Sequence, residues 1–180
     1  RSVGLDLSVR RRAGFITGSV GVFLHRFQDY IFEQELPPGA VPAAVNPDDL
    51  TPYQFVATDA RFTGVEAELL FHLLENDHQR LHLELSGDSV RARQTSNDEP
   101  LPRIPPVRLG ARLNYEDGRW HATAELRRTE RQNRFAPSEG PTPGHTQLHA
   151  SVSYLMPLPR ITCEVFLRGR NLTNVAAREH

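Results

Sequence analysis

Eight histidines and a complete absence of lysine set the chemical range of this 180-residue chain. Neutral imidazole ligates transition metals at bond lengths of about 2 Å, so a candidate site must bring ring nitrogens within a few ångströms of one another. His145 and His149 share one face of an extended segment, but the strand rise between them amounts to about 13 Å, too far for one ion. His72 and His82 are better placed. If Glu75 pairs with Gln79 across a tight turn, His72 falls opposite His82 with Cβ atoms about 5 Å apart. Glu84 comes next on the same face, which makes His72, His82 and Glu84 the candidate metal ligands. Histidines on a wet sheet face more often make ordinary hydrogen bonds, and that reading stands beside the metal one. Glu33, Glu35, Asp48 and Asp49 lie in or beside a proline-rich stretch where they could gather cations, although solvated charge is the ordinary state of such residues.

Nothing in the chain assembles a catalytic constellation. Glu66 and Glu68 are about 7 Å apart along a strand, a spacing compatible with an acid and base pair but equally with the ion-pair lining of a wet interior. Ser86, Ser89, Ser151 and Ser153 all lack the Gly-x-Ser-x-Gly context of a nucleophile elbow. All 21 basic residues are arginine, which removes Schiff-base chemistry and the phosphate-loop lysine. The expectation is a protein that is not an enzyme and carries no cofactor.

Twenty-two acidic residues nearly cancel the arginines, leaving a formal net charge of -1, so no basic surface points to nucleic acid. Hydrophobic residues make up 38% of the chain, thin against the roughly 45–50% of globular proteins. No apolar run approaches the roughly 20 residues that a transmembrane helix needs. Strands that meet lipid on one face and water on the other average to such a composition and remain compatible with it. The single cysteine, Cys163, forms no intrachain disulfide. The sequence starts at Arg1 inside what already reads as a strand, without a signal peptide, so a fragment of something longer is expected.

The elements that would position these residues are strands. Period-two alternation recurs eight times. Val3, Leu5, Leu7 and Val9 alternate with small or polar neighbours, as do Ile16, Val20, Val22 and Leu24 in a run reaching Phe32. A third run, from about Tyr53 to Leu74, sets Val65, Ala67, Leu69, Phe71 and Leu73 against Glu66, Glu68 and His72, and a fourth sets Leu81, Leu83 and Leu85 against His82 and Glu84. The fifth to seventh are sharpest: Val107 to Tyr115, Trp120 to Leu126 and Thr146 to Tyr154, each with one uncharged face. The eighth, Ile161 to Leu167, has Phe166 as a fault on its polar face. Short turns at Arg10–Gly14, Glu75–Gln79, Glu116–Gly118 and Met156–Arg160 alternate with long proline-rich connections at Glu33–Pro52, Gln94–Pro105 and Phe135–Gly144. Asp117-Gly118 reads as a two-residue hairpin turn in which glycine takes positive φ. Short turns at one end and long loops at the other, with Phe15, Phe71, Tyr115, Trp120 and Tyr154 on the apolar face near the short turns, favour a membrane β-barrel with an aromatic girdle over a soluble sheet.

Four segments carry a resemblance. Asp59-Ala60-Arg61-Phe62-Thr63-Gly64-Val65-Glu66-Ala67-Glu68-Leu69 resembles a barrel segment of TonB-dependent outer-membrane receptors. Phe23 to Ile31, Leu101 to Gly110, and Leu167 to Asn174 resemble further segments of that family, in its order along the chain. Gln132-Asn133-Arg134-Phe135-Ala136-Pro137, with Arg178 and His180, is most similar to the zinc-uptake branch. The resemblance implies an all-β fold, an antiparallel transmembrane barrel segment of about eight strands with short periplasmic turns and long extracellular loops. Residues 1–180 would form the C-terminal portion of a receptor barrel, without plug domain, TonB box or closing strand. Arg108, Arg112, Glu66, Glu68, Glu125 and Arg127 would line the lumen. Expected partners are outer-membrane lipid, the TonB complex and the plug through the missing N-terminal part, and a small ligand such as a metal ion or metal chelate, in the outer membrane of a Gram-negative bacterium. The alternatives are a small structural or adhesion barrel and a soluble β binding module.

Overall fold

The computed structural model describes residues 1–37, 39–42, 50–178 and 180. The alternating runs become eight strands: β1 (Ser2–Arg11), β2 (Ile16–Glu35), β3 (Tyr53–Glu75), β4 (Gln79–Gln94), β5 (Arg108–Asp117), β6 (Trp120–Thr129), β7 (His145–Pro157) and β8 (Thr162–Gly169). No helix occurs among the described residues. Each strand pairs antiparallel with its sequence neighbours in one sheet of order β1-β2-β3-β4-β5-β6-β7-β8, so β1 and β8 are open edges. Connections at 12–15, 76–78, 118–119 and 158–161 gather at one end of the sheet, and β2 leads to β3, β4 to β5 and β6 to β7 from the other. β2 and β3, at 20 and 23 residues, are about twice the 9–11 residues that cross a bilayer. Their surplus length projects on the long-loop side.

The fate of the apolar rows identifies the solvent they were built for. The buried hydrophobic residues are only Ala60, Ala92, Leu101 and Ala136 among those described. Val3, Leu5, Leu7, Val9, Val22, Leu109, Leu113 and Leu126 instead stand outward in contiguous rows. Water would tolerate scattered apolar side chains but not a continuous wall of them; hydrocarbon removes that cost. The girdle aromatics pair at the short-turn end, Phe15 edge-on to Phe71 at 6.3 Å and Trp120 against Tyr154 at 4.7 Å. Gln79 Nε2 donates to the Tyr115 hydroxyl at 3.1 Å.

The β5–β6 turn forms by a different device from the one its sequence suggests. Positive φ among the glycines belongs to Gly14, Gly18 and Gly39, not to Gly118. The Asp117 carboxylate closes the turn instead, its Oδ1 accepting from the Arg119 and Trp120 amides at 2.9 and 2.8 Å. An aspartate side chain that captures backbone amides two and three residues on needs no left-handed residue. These two amides hold the Asp117 carboxyl below its ordinary range. A lowered folded-state pKa stabilises the turn above the unfolded value and ceases to do so as pH falls through the folded one. Amide exchange at Arg119 and Trp120, corrected for intrinsic rate, is therefore expected to lose protection on acidification below the ordinary carboxylate range, and Asp117→Ala to abolish that dependence. Protection independent of pH would show that the side chain does not hold the turn.

A small core sits at the long-loop end. Ala60, Ala92 and Leu101 are buried together, ringed by Phe27, Tyr30, Phe32, Phe62 and Ile104. The two alanines leave room for the β4–β5 loop to fold back onto the sheet, and the Leu101 amide donates to the Ala92 carbonyl at 3.0 Å. The loop between β6 and β7 stacks on it in turn, with Gln132 Nε2 donating to the Ile104 carbonyl at 2.7 Å.

Candidate functional site

The polar face is a wall of paired charges. Cross-strand register sets Glu84 opposite Arg112 and Arg112 opposite Glu125, because alternation sends every second residue of three adjacent strands to the same side. Arg112 lies 3.5 Å from Glu84 and 3.0 Å from Glu125, whose carboxylate also accepts from Arg127 Nε at 2.6 Å. Asp88 takes Arg108 at 3.0 Å. Each exposed pair contributes about 0–1 kcal/mol, so the ladder holds side chains in place more than it stabilises the sheet. Glu66 and Glu68 form no ion pair among the described residues and border a polar recess with Ser8, Arg10, Ser19 and Arg108.

The histidines expected to meet do so, by a route that pattern alone does not give. Glu75 pairs with Arg80, not Gln79, and an irregularity between His72 and Leu74 absorbs the difference, so His72 still faces His82. Their rings are edge-on, 4.8 Å apart. A bulge of one residue reverses the facing of every residue beyond it on the strand. Leu73 and Leu74 consequently both stand outward on the apolar side, and Glu75 joins His72 on the polar side, with a carboxylate oxygen 3.2 Å from His72 Nδ1. Glu84 is held by Arg112 instead. His145 and His149 are not brought together into a ligand set; His149 Nδ1 accepts the Asn171 amide at 3.3 Å.

At the long-loop end a cleft of about 340 Å³ is bordered by Tyr30, Phe32, Tyr53, Phe55, Arg103 and Glu139. The Arg103 guanidinium pairs with Glu33, which neutralises one of the carboxylates expected to gather cations. Glu35 is exposed, and Asp48 and Asp49 lie outside the described residues. Glu139, unremarkable in the sequence, ties three segments together: it accepts the Arg103 amide at 2.8 Å and the Ala136 amide at 3.1 Å, and lies 3.3 Å from His180 Nε2. Nearby, burial and the Arg91 and Arg93 guanidiniums push the Arg134 pKa down. Gln132 and His180, read from sequence as marks of a zinc-uptake branch, are thus packed into loop architecture.

Among sequence families, residues 1–172 match one described as TonB dependent receptor-like, beta-barrel. The chain belongs to the TonB-dependent receptor β-barrel family. A solved structure described as the copper transporter OprC shares the fold, at 20% identity and a TM-score of 0.78, over 99% of this chain and 26% of that one. This TonB-dependent receptor segment therefore spans about a quarter of the length of that structure. Membership accounts for the two dissimilar faces of the sheet: in a receptor barrel the outward face meets lipid and the charged face lines the lumen.

Proposed function

We propose that the protein is an outer-membrane receptor for TonB-dependent uptake of a scarce ligand, with zinc first and another transition metal or metal chelate next. Residues 1–180 supply the C-terminal portion of its barrel, and the plug domain, TonB box and closing strand lie outside them. The observation that carries this reading is the family match across 172 residues of a sheet with an apolar outer wall. Metal is favoured by the eight histidines, by the likeness of Gln132 to Pro137 to zinc-uptake receptors, and by the fold shared with a protein described as a copper transporter. In such a receptor the lumenal ion-pair wall contacts plug and water, while the long loops and the aromatic cleft recognise ligand, since rigid strands position binding residues that loops carry.

A strain lacking the full receptor is expected to grow poorly and accumulate less zinc under zinc limitation, and the complemented strain to recover both. Normal zinc accumulation together with a defect for copper, an iron chelate or a vitamin would discard zinc and keep the receptor. No uptake defect for any ligand would favour a structural barrel.

A further inference from the structure

We infer that His72, Glu75 and His82 form a binding site for a divalent transition-metal ion at the short-turn end of the lumenal wall. One ligand atom from each residue lies within 4.8 Å of the other two, and this is the one such group of three among the described residues. A tetrahedral ion with bonds of about 2.1 Å holds its ligand atoms roughly 3.4 Å apart, so small side-chain rotations close the set. His72 is prepared for that role. Its Nε2 lies 3.0 Å from the Thr17 hydroxyl, and donation there leaves Nδ1 with the free lone pair that a metal needs. That Nδ1 and His82 Nε2 are both covered from solvent without a hydrogen-bond partner, and the Glu75 carboxylate oxygen 3.2 Å from Nδ1 is itself an acceptor, so it cannot satisfy a ring nitrogen that presents its lone pair. Covered polar atoms without partners are costly, and an ion bound between the rings would satisfy both. His145 Nδ1 and His149 Nε2 are also unpartnered, but they belong to no three-ligand group.

Two imidazoles and one carboxylate suit zinc, copper or nickel rather than calcium or magnesium, which take oxygen ligands. Three protein ligands leave a fourth position for water or an exchanging ligand, as in sites that release their ion. For its role this inference rests on the uptake reading: the site lies beside the turn at 76–78, where a metal leaving the lumen for the periplasm would pass. Its existence as a binding site does not depend on transport.

The test uses the full-length receptor in detergent, with Co²⁺ as the probe because its visible bands report tetrahedral coordination. His82→Gln and Glu75→Gln are each expected to lose one equivalent of bound Co²⁺ and the corresponding bands, with heat-modifiable folding retained. Thr17→Val should keep the stoichiometry and weaken binding about 10- to 100-fold. His121→Ala, on β6 two strands away from β4, should change neither. Metal-catalysed oxidation of the unsubstituted receptor with Cu²⁺ and ascorbate needs no variant and should mark His72 or His82. Unchanged Co²⁺ stoichiometry in both glutamine variants, or no oxidation at either histidine, overturns the site while leaving uptake untouched. Loss of the equivalent in a receptor that proves to import no metal keeps the site and discards the uptake reading.

Discussion

Arginine at Leu113 or Ala124 is expected to destabilise the assembled receptor by about 2–4 kcal/mol, the cost of a guanidinium at the bilayer midplane. The two residues face each other across β5 and β6, and the row they belong to runs uncharged from the Tyr115 girdle to Leu109. Directly opposite Leu109 stands Arg128, ion-paired with Glu130 at 3.0 Å, which marks the outer edge of the apolar belt. Arginine at Asn114 or Thr123, one residue along each strand, should cost far less, because these side chains share a lumenal row with His82 and Ser151. Refolding into vesicles, read by heat-modifiable mobility across a urea series, measures the difference. Equal tolerance of the two sets would mean that the faces have been assigned wrongly.

Gly18→Ala is expected to impair assembly nearly as strongly. Gly18, the third residue of β2, has φ 139° and pairs with Leu69 on one side and Arg11 on the other. A Cβ there would lie 2.1 Å from the Glu68 carbonyl oxygen and 2.9 Å from the Leu69 Cα. Both are backbone atoms, so no rotamer change relieves the contact. Overpacking of this kind costs about 1–3 kcal/mol, and an L-residue held at such a φ about as much again. Gly118→Ala is the control: nothing lies within 4 Å of its added Cβ, and a change within about 0.5 kcal/mol is expected. Wild-type yield and urea midpoint for Gly18→Ala would show that β2 and β3 do not approach as closely as the register requires.

Much of the architecture is legible because a strand has period two and each sheet face meets one solvent. Leu109, Ala111, Leu113 and Tyr115 against Arg108, Arg112 and Asn114 admit one orientation, and the same rule sends Glu125 and Arg127 to the polar face without any knowledge of register. Loop polarity comes from proline, which cannot donate to a ladder and so confines 36–52 and 95–107 to connections. The β5–β6 turn shows the limit of such local rules: Asp117-Gly118 marks the turn correctly, yet the side chain of the first residue, not the backbone freedom of the second, forms it.

By its alternation alone the sequence determined eight strands, their two faces, the ends at which loops gather and the pairing of His72 with His82 as a possibility. Only the tertiary structure decided that Glu75, and not Glu84, completes that pair. Strict alternation sends Glu75 to the apolar side, and a bulge beside Leu73 reverses it, while Arg112 draws Glu84 into the ion ladder. The folding of Leu101 onto Ala60 and Ala92, and the joining of Arg103, Glu139 and His180, were likewise settled by contacts between segments tens of residues apart. Periodicity is a property of neighbours along the chain, whereas a bulge or a loop docked across a sheet depends on what the opposing strand presents, and single-chain pattern carries no record of that.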